Sequence, residues 1–158
     1  MRNKKQQITD RKKLEEILKK ENLCRIALCD KGVPYIIPLN YGYLDGYLYF
    51  HCATEGRKLD ILRMNNLVGF EVESDVTAPP VHYKCVIGTG RATILHGEKE
   101  VDRVLDILCS HFGEKHTDWR KLCSSKRREE TLGIRIDILE MTGKHRRYGD
   151  WADDKHAH

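Results

Sequence analysis

The stretch VPYIIPLNYGYLDGYLYFHCATEGRKLDIL, residues 33–62, decides the fold class. Val33, Tyr35, Ile37, Leu39 and Tyr41 alternate with less apolar neighbours as far as residue 43, the two-residue period of a strand with one buried face. Asp45-Gly46 then supplies a tight hairpin turn, and Tyr47 to Cys52 reads as a strand returning antiparallel to the first. Beyond Cys52 the period changes, and Leu59, Ile61 and Leu62 predict a short helix over residues 55–65. The result is strand, turn, strand, turn, helix.

Arg57 and Lys58 stand at the start of that helix, not its end. A helix N-terminus carries unpaired N–H donors and a partial positive charge, so cations there are mildly unfavourable unless an anion joins them. Two readings follow: a bound phosphate, or a solvated pair of charges at an ordinary helix start. Thr54 is the expected cap, and Gly56 allows close approach of a ligand to the backbone.

Outward from this core the same logic extends. Leu14, Ile17 and Leu18 predict a surface helix over residues 10–20, and Leu23 to Cys29 a first strand that turns at Lys31-Gly32. Val68, Phe70 and Val72 give a fourth strand, ended by a loop over residues 74–80 that contains Pro79-Pro80. Tyr83 to Leu95 is a long fifth strand in which Gly88 and Gly90 mark a bend or a close neighbour. Val101, Val104, Leu105, Leu108 and Phe112 recur at helical intervals between 98 and 112. The polar stretch 113–131 is left unassigned, and Leu132, Ile134, Ile136 and Ile138 form the sixth strand. Tight turns without helices between successive strands argue against a doubly wound parallel sheet. The fold class is mainly β with peripheral α: a six-stranded antiparallel barrel or sandwich, with one domain over 1–143 and a polar tail over 144–158.

The 158 residues suffice for one domain with a sizeable core. Basic residues gather near the N-terminus (Arg2, Lys4, Lys5, Arg11, Lys12, Lys13) without interleaved aromatic rings, which favours a solvated end over a nucleic-acid or membrane surface. Cysteines 24, 29, 52, 85, 109 and 123 are scattered with no CxxC, and the charged first twenty residues lack the apolar run of a secretory leader, so a cytoplasmic location is expected. No metal site is expected: His156 and His158 supply only two ligands, and His51 and Cys52 are neighbours on opposite strand faces.

Three ordered blocks resemble a known family: GVPYIIPLNYGY (32–43), DGYLYFHCATEGRKLDIL (45–62) and YKCVIGTGRAT (83–93). They are similar to the FMN-binding split barrel of the pyridoxamine 5'-phosphate oxidase superfamily. Within it they lie nearest the nitroimidazole-resistance flavoproteins, which carry similar PYxxPxNY and YFHxAxxGRK segments. The resemblance spans about residues 10–143. It implies a homodimer with flavin at the subunit interface and the phosphate held by Arg57 and Lys58. It further implies that Pro38, Leu39, Asn40 and Tyr41 run beside the ring, and that His51, Cys52, Ala53 and Thr54 meet the ring edge and ribityl chain. Cys85 falls where the oxidase branch has a polar residue contacting the ring; a thiol is a weaker hydrogen-bond partner.

The expected activity is reduction of a small electron-poor organic molecule, such as a nitroaromatic, with FMN as cofactor and His51 as the candidate for orienting substrate or donating a proton. The close of the chain, GIRIDILEMTGKHRRYGDWADD (133–154), does not align with the segment that completes the oxidase substrate site, so vitamin B6 oxidation is the less favoured activity. Gly88-Thr89-Gly90 is not a dinucleotide fingerprint, so NAD(P)H would have to visit the flavin directly. The alternative is a flavin or haem carrier without turnover; His82, His111 and His116 are the haem-ligand candidates.

Overall fold

A computed structural model describes residues 4–78, 82–113 and 129–147. After a short 3-10 turn (Lys4–Gln6), the elements are β1 (Gln7–Ile8), α1 (Arg11–Lys20), β2 (Leu23–Asp30), β3 (Val33–Asn40), β4 (Gly42–Leu44) and β5 (Tyr47–Ala53). There follow α2 (Arg57–Met64), β6 (Leu67–Thr77), β7 (His82–Leu95), α3 (Glu98–Phe112) and β8 (Thr131–Arg146). Every strand pairing is antiparallel, in the order β3-β2-β6-β7-β8-β5-β4, with β1 on β8. No helix among the described residues is long and apolar enough to cross a membrane.

Among the described residues the strand count is eight, not six, for two reasons. A two-residue strand, too short to leave a periodic signal, pairs with the end of β8. The extended segment 33–43 is also divided at Tyr41. Its first half pairs with β2 and its second half with β5, so one continuous stretch joins the two ends of the sheet and closes the barrel. Tyr41 fixes the break: it is fully buried, its amide bonds to the Asn22 carbonyl (3.2 Å), and its hydroxyl donates to the Leu18 carbonyl (2.7 Å). Burial pushes that phenol well above its ordinary pKa. Asp45 and Gly46 both have positive φ (52° and 87°), as the hairpin turn requires.

Two further boundaries move. β6 runs on to Thr77, with an irregular register between Ser74 and Thr77, so the loop expected over 74–80 begins later; Pro79 and Pro80 lie outside the described residues. β8 continues through Arg146 because β7 pairs with it that far, Tyr83 opposite Arg146. Most of the unassigned stretch 113–131 also lies outside the described residues.

The barrel interior is filled by Ile26, Leu28, Leu48, Phe50, Val68, Phe70, Val72, Val86, Ile134 and Ile136, with α1 contributing Leu14, Ile17 and Leu18 and α2 contributing Leu59, Ile61 and Leu62. A second, smaller core forms where α3 lays Val101, Val104, Leu105, Ile107 and Leu108 over Tyr49. His111 ties this layer down. Its Nδ1 accepts the Tyr43 amide proton (3.3 Å), which leaves Nε2 as the protonated nitrogen, donating to the Glu21 carbonyl (2.8 Å). His111→Ala strands one backbone donor and one acceptor, and is expected to lower unfolding free energy by about 2 kcal/mol in denaturant titrations. A loss under about 0.5 kcal/mol, the range of ordinary surface substitutions, would contradict this anchoring role.

Candidate functional site

The short helix α2 begins as the sequence predicts, but its cap differs. Gly56, at φ 127° and ψ 161°, is the N-cap, and the amides of Leu59 and Asp60 bond to its carbonyl (2.9 and 3.3 Å). Thr54 is exposed and does not cap, because the helix begins two residues later and the N-cap position falls on Gly56, whose positive φ suits glycine and which has no side chain to cap with. No side-chain oxygen is spent on this helix start, so its orphan amides remain available to an external anion.

Arg57 and Lys58 keep their charge available as well. Asp60, the acidic residue in the first turn, pairs with Arg63 (3.1 Å), and among the described residues neither Arg57 nor Lys58 makes an ion pair. Arg57 is exposed, and its guanidinium lies 4.8 Å from the centroid of the Tyr35 ring. An aromatic face under a guanidinium holds it in place while leaving its N–H edge open, an arrangement suited to phosphate. Nothing in the residue pattern signals this contact, since Tyr35 reads simply as one more apolar residue in an alternating strand. Lys58 is half-buried and its stem reaches the barrel interior beside Ile37, Leu39 and Leu62.

β5 brings His51 and Cys52 into the field of Lys58. Burial, and then the lysine charge, hold the His51 imidazole below its ordinary pKa, so the ring is neutral at physiological pH. Burial raises the Cys52 thiol, which points into the core and is inert. Ala53 and Thr54 continue the strand end as exposed positions toward Gly56.

β3 is the other wall. Pro38 and Asn40 are exposed on its outer face, while Tyr35, Ile37 and Leu39 turn partly inward against the core. Tyr41 does not join them: with no exposed surface and its hydroxyl bound to Leu18, its side chain is structural and closed to a ligand. Cys85 also stands apart. It lies on β7 opposite Glu73 and Lys144, close enough to Glu71 to feel its charge, in a different part of the sheet from α2. Burial of Cys85 and the adjacent carboxylates raise its thiol pKa.

The interior holds a void of only about 10 Å³ among Ile26, Leu28, Ile37, Leu39 and Lys58. A three-ring cofactor needs a cavity of roughly 300 Å³ or more, so it cannot bind inside this barrel. The outer face of β3 carries an exposed apolar strip instead, Pro34, Ile36 and Pro38 with Ala27 beside Ile36 on β2, and Ile36 is 63% exposed; beyond Pro38 the strip ends at the ion pair of Arg25 with Glu71 (3.0 Å). Of the haem-ligand candidates, His111 uses both ring nitrogens, His82 packs edge-on to His145 (5.1 Å between centroids), and His116 lies outside the described residues.

Comparison with known proteins places this geometry. A curated relative, an uncharacterized protein of Rhizobium meliloti, is 29% identical over 84 residues; the match spans about half of each chain (53% of this one, 54% of the relative). Among solved structures, a candidate 5-nitroimidazole antibiotic resistance protein from Bacteroides thetaiotaomicron superposes with a TM-score of 0.76 at 23% identity, over 88% of this chain and 86% of that one. An FAD-binding protein from Mesorhizobium loti gives 0.69 at 24% identity, over 89% and 97%. An FAD- and haem-binding protein from Mycobacterium smegmatis gives 0.74 at 20% identity, over 96% and 80%. These likenesses establish a shared fold. The profile of the pyridoxamine 5'-phosphate oxidase family matches residues 10–145, nearly the whole described barrel, and the chain belongs to that family.

Proposed function

We propose that this protein binds a flavin, FMN, through the start of α2, and uses it to reduce a small electron-poor organic molecule such as a nitroaromatic. The observation that carries the reading is the uncapped helix start, with Arg57 stacked on Tyr35 and without an acidic partner among the described residues. That arrangement fits a phosphate monoester: adjacent residues offer a guanidinium fork and an ammonium at a helix start whose amides have no side-chain cap. Family membership and flavin-binding relatives of the same fold support the ring beyond the phosphate.

The bound flavin would supply two-electron redox chemistry at its ring. This chain's residues do the rest. Arg57 and Lys58 fix the phosphate end; the exposed edge of β3 at Pro38 and Asn40 lines the ring's approach; neutral His51 holds a proton in reach of the strand end. Because the barrel interior is filled, a second wall for the ring must come from outside the chain. The exposed apolar face around Ile36 supports a homodimer with the site at its interface.

Absorption spectroscopy of the purified protein, with mass analysis of the molecule it releases, tests the cofactor. Flavin bands and FMN are expected; a haem Soret band alone, or no chromophore after incubation with FMN, would contradict the assignment. Turnover of a nitroaromatic with NAD(P)H as donor then separates the enzyme from a carrier.

The His51 environment predicts a pH effect on stability. Its folded pKa lies below the ordinary 6.5, so the contribution is complete above that value and is lost as pH falls toward the folded value. His51→Asn should therefore flatten the loss of urea stability between about pH 7 and about pH 5. An unchanged slope would mean His51 does not titrate between the two states.

A further inference from the structure

Both cations at the start of α2 lie along one row of β3. Tyr35, Ile37 and Leu39 share a strand parity and are partly buried, whereas Pro34, Ile36, Pro38 and Asn40 are exposed on the other face. The Arg57 guanidinium sits on the Tyr35 ring (4.8 Å), and the Lys58 stem runs beside Ile37 and Leu39. We propose that Tyr35 is a positioning residue for the phosphate grip: its ring pre-orders Arg57 before a ligand arrives, and so sets affinity for the phosphate and not for the flavin ring. This rests on the phosphate reading of the α2 start.

The state of Arg57 creates the need for such a residue. It is exposed and makes no ion pair among the described residues, and Asp60, on the same turn, is held by Arg63 (3.1 Å). A long exposed side chain samples many rotamers, and a ligand that captures it binds more weakly in proportion to the freedom it removes. A carboxylate would restrain the guanidinium but would also occupy its N–H fork and cancel its charge. A ring restrains it through its face and leaves the donor edge to the ligand.

Tyr35 is a fixed platform for this purpose. It packs against the core on a strand that pairs with β2 at every residue from Val33 to Asn40, Tyr35 standing opposite Leu28. Its order therefore comes from the sheet and is present without ligand. Ile37 and Leu39 do less for Lys58, since they steady an aliphatic stem while the ammonium at its end stays a rotatable point charge. The two cations thus divide the work: Arg57 supplies direction and Lys58 supplies charge.

Titrations of the flavin-free full chain with FMN and with riboflavin, followed by flavin fluorescence, test this role. Tyr35→Leu keeps an apolar contact with the core but removes the ring. It is expected to weaken FMN by about two- to fivefold, the range of an exposed cation–π contact, with riboflavin unchanged. Tyr35→Phe should restore parental FMN affinity. Pentafluorophenylalanine at position 35 keeps the ring's shape and inverts its quadrupole, so it should behave like Tyr35→Leu without the change in packing. In an Arg57→Ala background all of these chains should bind FMN alike, because the ring then has no guanidinium to hold. A loss of equal size with and without Arg57, or for riboflavin as much as for FMN, would show a structural role alone and overturn the inference. A Tyr35→Leu chain that keeps the parent's full preference for FMN over riboflavin would overturn it while leaving the phosphate reading in place; a parent with no such preference would remove both.

Discussion

Replacing Arg57 and Lys58 together with alanine is expected to yield colourless protein whose FMN affinity is at least about 100-fold weaker. Each charge-assisted hydrogen bond to phosphate contributes about 1.5–3 kcal/mol, so losing both side chains removes roughly 3–6 kcal/mol of binding. Arg57→Lys should fall between, since an ammonium keeps the charge but loses the fork and much of the stacking on Tyr35. Arg57→Ala alone should leave folding little affected, because Arg57 is exposed and makes no ion pair among the described residues. Lys58→Ala also removes a half-buried stem beside Ile37 and Leu39, so a thermal melt of the double variant accompanies the titration. Flavin retained at parental affinity by a folded double variant would place the phosphate elsewhere.

Gly88→Ala should be the most damaging small substitution in the sheet. A methyl group there would lie 2.5 Å from the Phe70 ring and 2.5 Å from the Glu140 carbonyl oxygen. A ring can rotate or shift; a backbone carbonyl in the β7–β8 ladder cannot without breaking the register that holds Gly88 opposite Met141. Overpacking of this kind costs about 3 kcal/mol, a large share of a typical domain's 5–15 kcal/mol. Denaturant midpoints measure it. Adding Phe70→Leu should recover only part of the loss, because the carbonyl clash persists. Full recovery would mean that the ring alone sets the limit, and parental stability in Gly88→Ala would refute the close approach altogether.

These two positions also illustrate what the chain discloses before folding. Gly88 and Gly90 interrupt an apolar strand, where a close neighbour is the economical explanation, and the structure supplies Phe70 and the Glu140 carbonyl as neighbours of Gly88. The antiparallel class was legible for a similar local reason: Asp45-Gly46 and Lys31-Gly32 permit only tight returns. The closure at Tyr41 was not. Alternation continues smoothly through residue 41, and only the long-range bond to Leu18 and the switch of partners from β2 to β5 divide the segment.

The candidate site divides the same way. Adjacent cations at a helix start are a sequence-local signal, and the structure places them as expected. The cap at Gly56 and the ring of Tyr35 beneath Arg57 depend on backbone geometry and on a contact between separate elements, which periodicity does not encode. Tyr41 and Cys85 join the expected site only through family likeness. The fold buries Tyr41 in the core, and Cys85 lies on β7 opposite Glu73 and Lys144, so its place beside a ring would depend on a second chain.

The proposed grip of the α2 start on a flavin phosphate should separate FMN from a flavin without one. Parallel titration of the flavin-free protein with FMN and with riboflavin, which shares the ring and ribityl chain but lacks the phosphate, tests it most directly. FMN is expected to bind about 100-fold or more tighter than riboflavin, with the difference abolished in the Arg57→Ala, Lys58→Ala chain. Equal affinities for the two in the parent protein would contradict it.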